Sequence, residues 1–386
     1  MKSILFAMVP AVTLGLAFGA GSAQADPLLQ QTNIISDGFV PAANVDPNLI
    51  NPWGVSFSAT GPFWVSDNNA GVATIYNPSG TTQLPPVTIA TPPGQAPGTA
   101  APTGQVSAPG TGFDVSENGK TAPSNFIFAT EDGTISGLSF AVAPSHSVLA
   151  VDNSQGGSGA VYKGLAIGNS NGKSLLYAAN FRSGEIEVYD RNFNLVNIFT
   201  DPTVPKGYAP FNVQVLDGKL LVTFALQNSD KHDDVAGAGH GFVDQFNLDG
   251  TGMKRIASQG SLNSPWGLDI APASFGGLAG DLLVGNFGDG RIGAFNLATD
   301  AFQGDLLNSN DQVIQIGDLW SLVNGNGGAA GDPNTLFFTA GVLNESHGLF
   351  GSLTPVSIPV PEPASFAILL TGLGGLAFLR RRMRSS

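Results

Sequence analysis

No cysteine occurs among the 386 residues. That absence excludes disulfides, thiol catalysis and cysteine-held zinc or iron–sulfur centres. Basic side chains are scarce: 16 Lys and Arg stand against 29 Asp and Glu, a formal net charge of −13. So acidic a chain lacks the positive surface that nucleic acid and anionic lipid need, and no nucleic-acid partner is expected. Histidine is rare too, with four copies. Phosphate-binding loops and His-Glu-x-x-His pairs are missing, and no catalytic residue is assigned. Turn formers, by contrast, are plentiful, with 51 Gly and 26 Pro. They favour many short strands, and no long helix is expected between the two ends of the chain.

Those ends read as addresses. Lys2 precedes an apolar stretch over 4–20 and a small-x-small site, Ala23-Gln24-Ala25. The order is that of a secretory signal peptide over 1–25, and removal by signal peptidase leaves a chain that starts at Asp26. At the other end Pro361-Glu362-Pro363 leads into an apolar run over 364–379, followed by Arg380, Arg381, Arg382 and Arg384. The prolines set this run apart from the domain before it. It is slightly short of the roughly 20 residues that cross a bilayer, and the arginines would hold the C-terminus on the cytoplasmic side. The tail over 361–386 resembles the PEP-CTERM sorting signal. The resemblance implies recognition by an exosortase, processing near the Pro-Glu-Pro motif, and transient inner-membrane anchoring through a transmembrane helix. The destination is then the cell envelope or the outside. A plain C-terminal membrane anchor is the other reading.

Between the ends, over 26–360, the chain repeats. Gly71, Gly133, Gly184, Gly241, Gly290 and Gly348 each precede an apolar residue two positions on. An aromatic or Leu follows at five, and Asn, Asp, Ser or Thr at six. Each glycine follows an apolar β-type run, at 63–66, 126–130, 175–179, 220–224, 282–285 and 336–340. Strand, Gly turn and strand make a hairpin. A further strand lies upstream of each, at 53–57, 113–116, 165–167, 211–215, 266–270 and 320–323. Four short strands in about 50–60 residues are a β-propeller blade. The fold expected is therefore an all-β, six-bladed propeller. Its last blade lacks a fourth strand, which residues 33–36 are expected to supply, leaving no open edge. The Pro- and Gly-rich stretch 85–112 reads as a surface insertion between blades 1 and 2.

Strand parity places the hairpin turns, and the segments that enter each first strand, at one mouth of the central channel. That mouth is the expected ligand site. Asn51, Asn212 and Asn263 stand on entering segments, and Asn68, Asn180 and Asn286 on turns. His240 and His347 occupy equivalent places one residue before their repeat glycines. Asp67, Asp289 and Asn344 add oxygen ligands for a divalent cation such as Ca²⁺, and histidines would favour a transition metal. Turn chemistry explains the same residues, because Asn and Asp tolerate positive φ and bond their own backbone. Trp53, Trp266 and Trp320 fit either packing between blades or a sugar platform. The segment 227–239, with Lys231-His232-Asp233-Asp234, reads as a solvated loop, a metal loop or a lid.

The runs at 128–137, 231–239, 263–268, 284–292, 331–341 and 347–356 resemble a family of uncharacterised bacterial secreted proteins that often end in PEP-CTERM tails. This resemblance carries fold and address and no activity. Likeness to NHL-type, gluconolactonase and strictosidine-synthase-like propellers is at fold level alone. The leading expectation is an exported binding or matrix-associated protein, with exopolysaccharide as its surroundings. A divalent-metal-dependent hydrolase or lactonase at the channel mouth is the second, and a structural surface protein with no small ligand the third.

Overall fold

In the computed structural model, residues 26–108, 110 and 112–356 are described. The signal-peptide and sorting-tail readings therefore lie outside the described residues. Among those described, no helix is long and apolar enough to cross a membrane.

The described residues form six main antiparallel sheets, the blades, and one small hairpin sheet. In each blade the second strand is largely apolar, as in Phe63–Asp67, Phe126–Thr130 and Leu336–Ala340, every residue of which is buried. Side chains alternate across a strand, so a continuous apolar run needs cover on both faces. Neighbouring blades supply it. Phe63 and Val65 pack towards blade 6 while Trp64 packs towards blade 2. Six apolar clusters lie one between each pair of adjacent blades, and a seventh, aromatic, joins blades across the axis.

In the sixth sheet Leu28–Ser36 runs antiparallel to Leu349–Pro355, with Leu29 opposite Pro355 and Ser36 opposite Leu349. This strand is longer than the expected 33–36. Its outer edge pairs in turn with Asn44–Val45 and Leu307–Asn308.

Blade 2 differs from the sequence reading. Its inner strand is Pro102–Ser107, which pairs with Phe126–Thr130, inside the stretch expected to be an insertion. Residues 113–116 fall instead at the start of a separate hairpin, Asp114–Glu117 with Lys120–Pro123. Thr82–Thr88, the outer strand of blade 1, also enters the expected insertion. The inner strand was hard to see because it is made of small and polar residues, and the ring requires them. A Cβ on Gly104 would stand 2.3 Å from the backbone nitrogen of Leu165 in blade 3. One on Gly164 would stand 2.6 Å from the Asn212 Cα in blade 4. Inner strands approach too closely there for any side chain, so propensity gives way to packing.

All six inner strands carry a β-bulge near their entry to the sheet. A bulge leaves one residue out of the ladder and re-aims its side chain. The residues within these bulged stretches include Trp53, Thr103, Lys163, Phe211, Trp266 and Trp320, one per blade.

Candidate functional site

Five of those six side chains meet on the axis. Trp53 stacks on Trp320 at 3.5 Å between ring centroids, and Trp266 stands edge-on to both at 6.1 and 5.8 Å. Phe211 packs on Trp320 at 5.9 Å. The tryptophans are at most 3% exposed, so they plug the channel and are packing residues, not a sugar platform. The fifth side chain is a cation. The Lys163 ammonium lies 5.0 Å from the Trp53 ring centroid and 5.8 Å from that of Phe181, within range of cation–π attraction.

Above the plug a single chain of polar contacts runs through five blades. Glu345 of blade 6 accepts from Asn51 Nδ2 at 2.8 Å. The same Nδ2 is 3.4 Å from Asn68 Oδ1. Asn68 Nδ2 donates to Glu131 of blade 2 at 3.0 Å, and Glu131 accepts from Lys163 of blade 3. Lys163 Nζ is 3.6 Å from Asp233 of blade 4, whose carboxylate accepts from His232 Nδ1 at 2.7 Å. Trp320 Nε1 donates to Asn51 Oδ1 at 2.9 Å and ties the chain to the plug.

Burial works against the Lys163 ammonium, yet Glu131 and Asp233, with Asp234 beyond, outweigh it and hold it above the usual lysine range. The hydrogen bond from His232 holds Asp233 below the ordinary carboxylate range, and the same bond lifts His232. Burial lifts Asp234. Burial also pushes Glu345 up to about 7, against the Asn51 bond, with negative Glu131 adding to the push. The mouth thus sets a carboxyl that titrates near neutrality beside an ammonium and a fixed carboxylate. Such divergence is common where proton transfer or ligand charge must be controlled.

The raised Glu345 value carries a pH dependence. The folded protein holds this proton more tightly than the unfolded chain does. Its contribution is therefore fully present below the ordinary glutamate range and is lost as pH rises through about 7. Glu345→Gln is expected to flatten that part of the stability–pH curve between pH 4.5 and 7 in urea titrations. An unchanged slope would show that the carboxyl is solvated.

Of the residues the sequence singled out, the structure brings Asn51 and Asn68 together with His232 and Asp233 of the 227–239 segment. The others bond elsewhere. Asn180 donates to Glu187 at 2.7 Å, inside blade 3. Asn286 donates to the Ser261 carbonyl at 2.8 Å, and its Oδ1 accepts from the Asn263 backbone N–H at 3.1 Å. Asn263 Oδ1 accepts from the Gly237 N–H at 2.6 Å. Asn212 lies deeper in the channel and donates to the Trp266 carbonyl at 2.7 Å. His240 donates to the Val235 carbonyl at 2.7 Å. His347 bonds Asp37 at 2.6 Å and stacks on Phe39, bracing the N-terminal segment. Asn68, Asn180 and Asn286 thus do not share one centre.

The proposed metal oxygens also part company. Asp67 is fully buried, accepts from Thr74 at 2.7 Å, and burial raises its carboxyl well above the ordinary range. Asp289 accepts from the Arg291 backbone, and Asn344 is exposed, its N–H donating to Asp318. Among the described residues, the group with ligand atoms all within 4.8 Å of one another is Glu131, His232 and Asp233. Sequence reasoning missed Glu131 and Lys163. A signal was present in Lys163, a lone charge inside the apolar run Ala160-Val161-Tyr162-Lys163-Gly164-Leu165, at the place where four other blades carry Trp or Phe.

No family model matches the chain. An uncharacterised protein of Acanthamoeba polyphaga mimivirus, R648, is 32% identical over 328 residues, covering 83% of this chain and 78% of its own length. A second from the same virus, L690, is 32% identical over 331 residues, covering 83% and 84%. These relatives are viral, where the sequence reading expected bacterial ones. Among solved structures, a streptogramin B lyase matches with a TM-score of 0.49 at 12% identity, covering 86% of this chain and 98% of that one. A nidogen–laminin complex matches at 0.43 and 14%, covering 74% and 84%.

Proposed function

The chain belongs to the family of the mimivirus proteins R648 and L690, and we propose that it is an exported binding protein whose ligand docks at the loop mouth of the propeller. One observation carries this reading. Seven polar side chains from five blades, Glu345 to His232, join above an aromatic floor around one buried ammonium. Packing alone would be served as well or better by apolar residues, because burying ions costs several kcal/mol each unless geometry compensates. Carboxylates outnumber the ammonium, which favours a neutral or amine-bearing hydroxyl-rich ligand over an acidic polymer. Exopolysaccharide of that composition fits.

The address completes the reading. Signal peptidase removes residues 1–25, and an exosortase acts on the tail at Pro361-Glu362-Pro363. The domain then works in the envelope or outside the cell. The test is retention of the purified protein on immobilised neutral hexose, amino-hexose and hexuronate oligomers. Retention on the first two, weakened about tenfold by Glu131→Gln, supports the reading. Loss of discrimination, or indifference to Glu131→Gln, overturns it.

A second reading has its own observation. Glu131, His232 and Asp233 are close enough to hold a divalent ion, and Glu345 titrates near neutrality, as a metal-dependent hydrolase or lactonase would use. The Lys163 ammonium already sits against two of those ligands, which argues for the binding protein. Elemental analysis separates the two: one tightly held divalent ion per chain selects the hydrolase.

A further inference from the structure

The channel continues below the plug. Directly beneath lies a gap of about 20 Å³, room for one water-sized group, lined in part by Gly54, Gly104, Asn212, Ser321 and Trp266. It adjoins a funnel of about 220 Å³ walled by Val55, Phe57, Leu165, Ile167, Val215 and Val323. Gap and funnel share Val55, Gln105, Leu165 and Gln214 as lining. The funnel lies at the far ends of the inner strands, opposite the loop mouth, and uses none of the seven polar side chains there.

The lining restricts what can enter. Among the described residues, no Asp, Glu, Lys, Arg or His lines gap or funnel. A charged molecule would lose its hydration there with nothing in return. The walls are mostly aliphatic, so a compact apolar body gains by burial, at roughly 25 cal/mol per Å². The polar groups are not equivalent. Gln105 is committed: it donates to the Gly54 and Trp64 carbonyls at 2.8 and 2.9 Å and accepts from Ser56 at 3.2 Å. The Gln214 backbone pairs in its strand with Leu221, while its side chain has no hydrogen bond to the described residues. Trp320 gives its indole N–H to Asn51. Among the described residues the buried N–H groups of Trp53 and Trp266 have no partner, and of these two tryptophans Trp266 lines the gap. An indole is a donor only, and a buried donor left unpaired costs about 1–3 kcal/mol. Trp266 therefore wants an acceptor, and the gap that it lines has room for one oxygen.

We infer that the lower funnel is a second binding site, which takes a small uncharged molecule with a compact apolar body and one carbonyl or hydroxyl oxygen directed at Trp266. Water alone satisfies the gap but not the apolar funnel beneath it.

The chain has four tryptophans, so ¹⁵N-labelled protein shows four indole N–H signals. Trp266→Phe identifies the one from Trp266. Titration with acetophenone, a neutral aryl ketone, is expected to move that signal saturably and to leave the Trp64 signal in place. Val55→Phe, which narrows the funnel from blade 1, is expected to weaken binding about tenfold. Val215→Phe does the same from blade 4 and serves if the first variant fails to fold. No saturable movement at Trp266, or equal binding by a folded narrowed variant, overturns the inference. Both outcomes are independent of oligosaccharide retention at the mouth.

Discussion

Replacing Lys163 by methionine is expected to destabilise the propeller by about 3–5 kcal/mol. The lysine side chain is 2% exposed and that of its partner Glu131 12%. Methionine keeps an apolar stem on Trp53 but removes the charge that Glu131, Asp233 and Asp234 face. The loss is then dominated by a carboxylate left buried without a counter-ion, not by the worth of the pair itself. That mechanism has a pH signature. In the variant the Glu131 carboxylate has lost its ammonium, so its buried charge is uncompensated wherever it is ionised. The defect should be smallest in acid and grow as pH rises through the carboxylate range. Adding Glu131→Gln should restore much of the stability at neutral pH, since no buried charge is then unpaired. Urea unfolding of both variants at pH 4 and pH 7 is the measurement. A defect that is independent of pH, or that survives in the double variant, would mean that Lys163 acts by packing alone.

Trp320→Ala is expected to cost about as much, roughly 3–5 kcal/mol, for a different reason. Trp320 is 1% exposed and touches the rings of Trp53, Trp266, Phe211 and Phe287. Its removal opens a void at the point where blades 1, 4, 5 and 6 meet, and neighbours held by their own sheets collapse into it only in part. Trp320→Phe separates the two roles of the side chain. Most of the packing returns, while the N–H to Asn51 is gone, so stability recovers to within about 1–2 kcal/mol of the parent. Asn51 also loses an anchor, and ligand retention at the mouth should fall even where stability has recovered. Calorimetric unfolding of the two variants reads the first effect and the oligosaccharide columns the second. Equal melting of Trp320→Ala and the parent would show that the plug does not hold the ring.

The hairpins were legible for a local reason. Gly290 sits at φ 71°, and a Cβ there would stand 2.2 Å from the Ile316 carbonyl oxygen, so no other residue fits the turn. The apolar second strands were legible because both their faces are covered. Blade 2 was misread where those rules fail: Pro102–Ser107 has little β-type character, and its place in the ring rests on contact with blade 3. Among the site residues, Asn51 and Asn68 carried a readable signal as polar residues at turn and entry positions. So did Asn180 and Asn286, but these bond within their own loops, and nothing in the sequence distinguishes the two pairs.

Sequence alone determined the number of blades, their order and the end of the channel at which polar loops gather, since turns and strand parity are properties of neighbouring residues. Only the tertiary structure decided which of those polar residues meet. Asn51 reaches a glutamate 294 positions away, and Lys163 finds Glu131 in the neighbouring blade, because closing a ring brings distant segments to one axis while each local segment remains indifferent to it.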